Sequence, residues 1–364
     1  MHEPSKERLD SALSESLRRF GVACGRTADE TYDLVMAATR LGLADGKRLR
    51  ARLFYWGWRA ADRLDCDEVI DVAIAMEIFH LFALVHDDLM DKSPLRRGVP
   101  TAHQQLARMH MDRGWRGDPT HFGLSSAMLL GDALLVWADM VIDASPLLKD
   151  CAHVFRRAYD EMRLEVMGGQ YLDICADCVD RRSMSDVLRV ARLKSGNYTI
   201  SQPLRLGAIA GGAPDTLVAA LAGLGRPLGE AFQIHDDIQG VFGQSDVTGK
   251  PVGDDIRNGK RTVLIAVALA RCNANERTRL ESVLGAPNVT ARQVNDAGEI
   301  IRQSGALEVA QAVIVDRLQE TIRALRSLAV DNAVKYTLAD IFSRAVGVPS
   351  TVPVPATIPL ESVS

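Results

Sequence analysis

Apolar residues recur with helical spacing along nearly the whole chain, and no long stretch alternates with the two-residue period of a strand. Short segments rich in Gly, Pro, Asp and Ser interrupt this pattern, and each supplies a turn or an N-cap for the next helix. The pattern predicts about a dozen helices. Because no fixed repeat is visible, they are expected to form one large all-α domain rather than a solenoid.

The two ends of the chain differ from this helical body. Residues 1–28 are charged and amphipathic, without the apolar core of a signal peptide, and predict a loosely attached lead-in helix. Residues 347–364 contain four prolines and no basic residue, which predicts a flexible tail. The main domain is therefore expected to span residues 29–346.

Composition narrows the classes of partner and compartment. The net charge is −4, with 43 basic and 47 acidic residues, which argues against a nucleic-acid partner. Six scattered cysteines are typical of reduced thiols in a cytosol. The two most apolar stretches, 69–85 and 124–142, contain acidic residues and indicate buried helices rather than membrane spans. We therefore expect a cytoplasmic protein without stable membrane insertion.

An apolar helix that ends in Asp-Asp occurs twice, as LFALVHDDLMD and as AFQIHDDIQG. In the first copy Asp87 and Asp91 are four residues apart and share one helix face. In the second copy Asp236 and Asp237 follow an apolar turn. Grouped carboxylates beside apolar sequence need a positive partner, and Mg²⁺ is the natural one. Since Mg²⁺ prefers carboxylates together with phosphate oxygens and water, a diphosphate is the expected remaining ligand.

Basic residues lie close to both motifs. One such cluster alone is usually surface charge, but several beside two Asp-ended helices indicate recognition of diphosphates. The clustered basic residues are Lys47, Arg48, Arg50, Arg96, Arg97, Lys194, Lys250, Lys260 and Arg261.

From about Gly46 to Leu264 the sequence resembles the trans-isoprenyl diphosphate synthases. The matching segments, in the family's order, are GKRLR at 46–50, HLFALVHDDLMDKSPLRRGVPTAH at 80–103, MGGQYLD at 167–173, LKSGNYT at 193–199 and FQIHDDIQGVFGQSDVTGKPVGDDIRNGKRT at 232–262. The resemblance implies a single all-α domain of the isoprenoid synthase type. Its central cavity would lie between the two Asp-rich helices.

The resemblance also implies a role for each matching residue. Asp87 and Asp91 would bind two Mg²⁺ ions and Asp236 a third. The residues expected to hold the allylic diphosphate are Arg96, Lys194, Ser195, Gln233 and Lys250. Those expected to hold isopentenyl diphosphate are Lys47, Arg50, His80 and Arg97, while Lys260 would close the site near the metals. Asp87, Asp91, Asp236, Lys194 and Arg96 form the expected catalytic set.

The position of His80 agrees with this role. It precedes Asp87 by seven residues, which is two helical turns, and so lies near the same helix face. A single histidine on an apolar helix is more often a buried core residue, but this register favours a ligand-binding role.

The implied reaction joins isopentenyl diphosphate to dimethylallyl, geranyl or farnesyl diphosphate. Three Mg²⁺ ions and the basic residues would stabilise the charge on the departing diphosphate. The allylic cation would be attacked by the double bond of isopentenyl diphosphate, and a proton would pass to the released diphosphate. The family resemblance also implies a homodimer.

Product length is expected to depend on side chains below Asp87 on the first Asp helix. Phe79 and Ala83 lie near the Asp87 face, and Phe82 lies beside Phe79. Aromatic side chains there would form the floor of a cavity, although ordinary core packing is an alternative interpretation. With no insertion inside the first motif, the chain resembles geranylgeranyl (C20) synthases, followed by farnesyl (C15) synthases.

Three positions depart from the family pattern. Gly240 stands where the second motif usually has its third Asp, Asp45 where Gly is frequent, and Ser195 where Thr is frequent. The departure at Gly240 leaves the ligands of the third metal open.

Two other functions remain open from the sequence. A terpene cyclase also uses Asp-rich helices and Mg²⁺, but it has no second diphosphate for Lys47, Arg50, His80 and Arg97 to hold. A non-catalytic subunit of a heteromeric synthase would typically lack the first Asp motif, which this chain retains.

Overall fold

The computed structural model describes residues 3–178, 184–243 and 253–349. Within these residues the fold is all-α apart from one two-residue hairpin, which confirms the predicted class. The first helices are α1 (Lys6–Gly25), a 3₁₀ turn (Asp29–Thr31), α2 (Tyr32–Leu43), α3 (Leu49–Ala60), α4 (Asp67–Met90), α5 (Ala102–Asp112), α6 (Pro119–Asp143), a 3₁₀ turn (Pro146–Leu148) and α7 (Ala152–Asp177).

The second half contains a π-helix and further helices. They are α8 (Met184–Ala191), the π-helix (Arg192–Ser201), α9 (Gln202–Ala210), α10 (Asp215–Phe242), α11 (Asp254–Arg257), α12 (Val263–Arg271), α13 (Ala274–Val283), α14 (Ala291–Gln303), α15 (Ala306–Ser327) and α16 (Asn332–Ala345). The described residues thus form more helices than the dozen expected, because short breaks divide long apolar stretches.

Helix α1 is firmly packed, so the expectation of a loosely attached lead-in is wrong. The Ser5 side chain caps its N-terminus by accepting a hydrogen bond from the Arg8 backbone N–H. Leu9, Leu13 and Leu17 follow at four-residue spacing and are buried in the core. The division into a lead-in, a main domain from 29 to 346 and a tail remains a prediction, and residues 350–364 of the tail lie outside the described residues.

Helix α4 passes through the centre of the protein. It is apolar on all sides and contacts α1, α3 and α6, as expected for a core helix. Its few buried polar side chains include Glu77, His80 and Asp88, and the carboxylates of the first Asp motif lie at its C-terminal end. The core therefore fixes where the first motif is placed.

The π-helix and α10 approach each other at a pair of glycines. A Cβ atom on Gly196 would lie 2.8 Å from the Gly229 Cα, and a Cβ on Gly229 would lie 2.6 Å from the Gly196 Cα. Neither position can carry a side chain without moving a backbone. This contact brings the segment that carries Lys194 beside the helix that carries the second Asp motif, and π-helical segments are frequent at functional sites.

The hairpin presents two of the predicted basic residues. Strands β1 (Leu95–Arg96) and β2 (Val99–Pro100) pair antiparallel, with Arg97 and Gly98 at the turn. Both turn residues have positive φ, 53° and 75°, which is typical of a type I′ turn and explains the glycine. The Arg-Arg-Gly sequence therefore places adjacent guanidinium groups after the first Asp motif.

Two helices, α4 and α6, are long and apolar enough to cross a membrane by length and composition. Most of α4 is buried inside the protein, whereas α6 leaves one face exposed. The six cysteines are all free.

Candidate active site

Arg96 binds the first Asp motif from the hairpin. Its guanidinium donates hydrogen bonds to Asp88, including one of 2.9 Å from Nε to Oδ1, and one of 3.0 Å from Nη2 to Asp87 Oδ2. Burial alone would lower the pKa of Arg96, but Asp88 and Asp87 outweigh it and raise the pKa. Arg96 therefore remains a fixed cation against these carboxylates.

Two lysines reach the same carboxylates from different parts of the chain. Lys194 Nζ lies 3.0 Å from Asp87 Oδ1 and 2.7 Å from Asp173 Oδ2. Lys260 Nζ donates a hydrogen bond of 2.9 Å to Asp91 Oδ2. Three predicted cations, from the hairpin, the π-helix and the segment after α11, thus meet at the end of α4.

These contacts set the charge states. Burial would raise the pKa of Asp87, but Lys194, Arg96 and Lys260 hold it well below the ordinary range. Burial would lower the pKa of both lysines, but Asp87 and Asp173 raise that of Lys194, and Asp91 and Asp255 raise that of Lys260. Asp87, Lys194 and Lys260 are therefore all charged near neutral pH.

The second Asp motif lies in the last turns of α10. Asp236 is exposed, while Asp237 is buried and accepts a hydrogen bond of 2.9 Å from Gln233 Nε2. Burial and the charges of Asp255 and Asp236 raise the pKa of Asp237 to about 8. Gln233, expected to bind the allylic diphosphate, thus also orients an aspartate of the motif.

A separate cluster of guanidinium groups surrounds His80. Arg48 and Arg50 are buried at the start of α3, and Arg97 is half-buried in the hairpin turn. Burial lowers the pKa of Arg97, and the positive charges of Arg48, Arg50 and Arg96 lower it as well. The negative charge of Glu77 acts in the opposite direction but does not outweigh them. Asp10 already forms an ion pair of 2.6 Å with Arg48, so an anion that entered here would be attracted mainly by Arg50 and Arg97.

His80 and Arg50 meet at Tyr198. His80 Nδ1 and the Tyr198 hydroxyl share a hydrogen bond of 3.1 Å, and the Arg50 guanidinium lies 4.3 Å from the centre of the Tyr198 ring. Arg50 also donates a hydrogen bond of 2.6 Å to Thr199 Oγ1. Burial and the nearby arginines lower the pKa of His80 well below its ordinary value, so this ring is neutral.

The remaining predicted residues have more varied positions. Lys47 is exposed, and its charge, together with burial, lowers the pKa of His235 on α10. Ser195 is half-buried beside Lys194 on the π-helix. Lys250 lies outside the described residues, and its role stays a prediction.

Aromatic side chains lie below the first motif. Phe79 and Phe82 are buried with their ring centres 5.3 Å apart, and Ala83 is half-buried. The Tyr159 and Tyr198 rings lie 6.0 Å and 6.3 Å from Phe79. The predicted floor is therefore part of a larger aromatic cluster.

Three side chains at the site had no role predicted for them. Asp173 forms an ion pair with Lys194. It belongs to the MGGQYLD segment that carried the family resemblance, and this was the available signal. Glu77 accepts hydrogen bonds of 3.1 Å from the backbone N–H groups of Arg50 and Ala51, and its interruption of an apolar stretch was the available signal. Nothing in the sequence indicated a role for Tyr198, because its partners His80 and Arg50 come from distant parts of the chain.

The donor set at the first motif fits a divalent cation. Among the described residues, no group donates a well-aligned hydrogen bond to the buried Asp87 Oδ1, although Lys194 Nζ lies close to it. Across those same residues, no three His, Cys, Asp or Glu side chains are placed to hold a metal by themselves. Phosphate oxygens and water would therefore supply the other ligands of an Mg²⁺ ion at Asp87 and Asp91.

The same fold and sequence pattern occur in known proteins. The family model described as polyprenyl synthetase matches residues 33–301. Geranylgeranyl diphosphate synthase of Mycobacterium tuberculosis is 34% identical over 286 residues, covering 78% of this chain and 75% of that protein. Geranylfarnesyl diphosphate synthase of Aeropyrum pernix is 32% identical over 280 residues, covering 76% and 81%.

A solved structure is also similar along almost its whole length. Geranylgeranyl pyrophosphate synthase of Corynebacterium glutamicum, complexed with isoprenyl diphosphate and magnesium, is 34% identical, with a TM-score of 0.89 and coverage of 95% of this chain and 99% of that one. The resemblance inferred from the motifs is confirmed: this chain belongs to the polyprenyl synthetase family and is a prenyl-transferring enzyme.

Proposed function

We propose that this enzyme condenses isopentenyl diphosphate with allylic diphosphates and releases geranylgeranyl diphosphate as its main product. One observation carries this proposal. Arg96, Lys194 and Lys260 meet the carboxylates at the end of α4, while a second cationic cluster surrounds His80. Two separate anion sites suit a reaction between two diphosphates.

The first site suits the allylic substrate. Mg²⁺ bound at Asp87, Asp91 and Asp236, three ions in our proposal, would supply Lewis acid stabilisation of the departing diphosphate. Lys194 and Arg96 now pair with Asp87, and they would turn to the diphosphate once metal neutralises that carboxylate. Gln233 and Ser195 would contact the same diphosphate, and Lys260, which binds Asp91, would cover it from that side.

The second site suits isopentenyl diphosphate. Arg50 and Arg97 would bind its diphosphate in bidentate fashion, with Lys47 at the exposed edge. A neutral His80 donates an N–H without adding charge. In the reaction the allylic C–O bond breaks, a C–C bond forms to isopentenyl diphosphate, and its proton passes to the released diphosphate.

The aromatic cluster below Asp87 supports a product of limited length. Phe79 and Phe82 lie one to two helical turns below the motif, where the growing chain would extend. Ala83 leaves more room there than an aromatic side chain would. This combination favours geranylgeranyl over farnesyl diphosphate, the shorter alternative.

Purified enzyme tests this proposal with Mg²⁺, isopentenyl diphosphate and each allylic starter, with products identified by mass spectrometry. Dimethylallyl, geranyl and farnesyl diphosphate are all expected to give geranylgeranyl diphosphate as the largest main product. A product series that stops at farnesyl diphosphate, with farnesyl diphosphate left unused as a starter, would contradict the proposed length.

A terpene cyclase remains the second candidate by motif, but the arginines around His80 argue against it. A cyclase has no second diphosphate, so the buried Arg50 and the half-buried Arg97 would be left without an anionic substrate there, whereas Arg48 already pairs with Asp10. The intact first motif likewise argues against a non-catalytic subunit, since Asp87 and Asp91 retain their cationic partners.

The enzyme is further proposed to act in the cytoplasm as a homodimer. Helices α6 and α7 are joined by ion pairs from Arg156 and Arg163 to Asp139, and together they expose a large apolar face. The apolar side chains on this face include Met128, Leu129, Val136, Met140, Val154, Leu164, Met167, Tyr171 and Ile174. A second copy of the same face would cover it.

Light scattering of Leu129→Lys tests this interface. The variant is expected to shift the dimer of the wild type toward monomer, while Leu64→Lys, at an exposed leucine between α3 and α4, leaves it a dimer. A monomeric wild type would contradict the homodimer.

A further inference from the structure

The loop between α2 and α3 has a strained backbone at Arg48. Its φ of 48° and ψ of 39° lie in the left-handed region, which a residue with a side chain rarely adopts. Such a conformation persists only where the surrounding contacts hold it. Lys47 and Arg50, both proposed to bind isopentenyl diphosphate, lie on either side of this residue. The contacts that hold Arg48 therefore also determine where these two side chains are placed.

Asp10 on α1 supplies the main contact of the Arg48 side chain. Arg48 Nε donates a hydrogen bond of 2.6 Å to Asp10 Oδ1, and the arginine side chain is only 3% exposed. Among the described residues, no hydrogen-bond partner reaches its buried Nη2 atom. A buried guanidinium without a counter-charge is strongly unfavourable. The buried position of Arg48 therefore depends on Asp10.

The same turn of α1 also contacts the start of the loop. Lys6 Nζ lies 2.8 Å from Asp10 Oδ2 and 3.6 Å from Asp45 Oδ1. Asp45 is one of the positions at which this chain departs from the family pattern. Its pair with Lys6 is exposed and contributes little by itself. Together with the pair between Asp10 and Arg48, it attaches the loop to α1 at two points.

Arg48 in turn borders Arg97 of the hairpin. A Cβ atom on Gly46 would lie 2.7 Å from Arg97 Nη1 and 3.0 Å from Arg48 Nη1, so both guanidinium groups pack on this glycine. A small cleft beside them is lined by Arg48, Arg97 and His80, and also by Leu13 of α1. Helix α1 therefore reaches the proposed site of isopentenyl diphosphate both directly and through Arg48.

We infer that Asp10 positions the isopentenyl diphosphate site by fixing Arg48. This inference rests on the proposed function, because it concerns the second substrate of that reaction. Asp10 acts through the arginine and does not itself bind the substrate. Helix α1, which precedes the segment that carries the family resemblance, is then part of the machinery that holds isopentenyl diphosphate.

Charge compensation alone is the competing interpretation, in which Asp10 only neutralises a buried arginine. The two interpretations predict opposite effects of Asp10→Asn on the KM for isopentenyl diphosphate. Loss of a compensating charge would leave the site more positive and lower this KM. Loss of position would raise it, because the loop would rearrange to bring the unpaired Arg48 toward solvent.

Four variants separate these effects. Asp10→Asn removes the charge and keeps the shape, Arg48→Gln removes its partner, and a double variant combines the two changes. Asp33→Asn is the matched control, because Asp33 on α2 also pairs with an arginine, the exposed Arg113. Steady-state kinetics give kcat and the KM for each substrate, and circular dichroism establishes that each variant is folded.

Asp10→Asn is expected to raise the KM for isopentenyl diphosphate about tenfold, with kcat and the KM for the allylic diphosphate within about twofold of the wild type. Arg48→Gln should give a similar rise. The double variant should give no larger one, because both changes break the same contact. Asp33→Asn should match the wild type.

An unchanged or lower KM for isopentenyl diphosphate in folded Asp10→Asn would overturn the inference. An equal rise for both substrates, an equal rise in Asp33→Asn, or additive effects in the double variant would overturn it as well. If Asp10→Asn does not fold, Arg48→Gln decides: a selective rise supports the inference, and a wild-type KM overturns it. The proposed function stands in each of these cases if the wild type consumes isopentenyl diphosphate, whereas a wild type that consumes none would contradict both.

Discussion

Lys194 Nζ lies 3.0 Å from Asp87 Oδ1, so a residue expected to bind diphosphate is paired with a residue expected to bind metal. Asp173 completes the arrangement by holding the other side of the ammonium group at 2.7 Å. Binding of metal at Asp87 would release Lys194 from one carboxylate while Asp173 keeps it in place. The carboxylates of the site are thus paired with cations before its ligands arrive, and metal binding would exchange these partners.

Asp173→Asn tests this anchoring role. Without Asp173, Lys194 loses its second carboxylate, and a charge-assisted hydrogen bond is worth about 1.5–3 kcal/mol. We expect the KM for the allylic diphosphate to rise about tenfold or more, with little change in the KM for isopentenyl diphosphate. Steady-state kinetics measure both values. Asp160→Asn, on the same helix but paired with Arg163 at the surface, is the matched control, and an equal effect there would contradict the anchoring role.

Phe82→Ala tests the floor of the product cavity. Removal of this buried ring opens space next to Phe79, so the enzyme is expected to make products longer than geranylgeranyl diphosphate, read by mass spectrometry. Leu81→Ala is the control, because Leu81 is buried on the same helix but packs toward Gly42. Both changes create cavities costing about 2–5 kcal/mol. An unchanged product distribution in Phe82→Ala would favour simple core packing.

Gly229→Ala tests the close approach of α10 to the π-helix. Its Cβ would lie 2.6 Å from the Gly196 Cα, so the two backbones must separate, at a cost of about 1–3 kcal/mol in the free energy of unfolding. Activity should fall as well, since the same contact holds the π-helix that carries Lys194 against α10. Gly223→Ala on the same helix meets no atom within 4 Å and should stabilise by about 0.5–1 kcal/mol. Equal effects of the two substitutions in urea denaturation would contradict this account.

His80 gives a prediction about pH. Burial and the nearby arginines lower its pKa in the folded protein, so the unfolded chain binds a proton below about pH 6.5 that the folded protein does not. The free energy of unfolding should therefore decrease as pH falls through this range, by up to about 1.4 kcal/mol per pH unit from this residue.

Urea unfolding of His80→Asn at several pH values measures that contribution. The variant is expected to lose less stability than the wild type between about pH 7.5 and about pH 5.5. His121→Asn, at an exposed histidine on α6, should keep the wild-type dependence. An identical pH dependence in His80→Asn and wild type would show that His80 is not held neutral by its surroundings.

The sequence predicted the all-α fold and several site residues because their signals are local. The helical period identified the helices, and the four-residue spacing of Asp87 and Asp91 placed them on one face. Arg96 could be predicted because it follows the motif within one hairpin. Contacts between distant segments could not be predicted in this way. The pairing of Lys194 with Asp173, for example, depends on how α7 packs beside the π-helix.

The firm packing of α1 was missed for a similar reason. Its charged surface residues suggested loose attachment, but Leu9 and Leu13 are buried against other helices. The surroundings of Gly240 could not be predicted from the sequence either, because the Asp255 side chain, fifteen positions later in the chain, packs against this glycine only in the folded protein.

The ratio of isopentenyl diphosphate consumed to diphosphate released, with geranyl diphosphate as the starter, tests the central claim most directly. Two anion sites in one active site require one molecule of isopentenyl diphosphate for every diphosphate released, with both processes abolished in Asp87→Asn. Release of diphosphate without consumption of isopentenyl diphosphate would contradict the account and leave the cationic cluster around His80 without its proposed substrate.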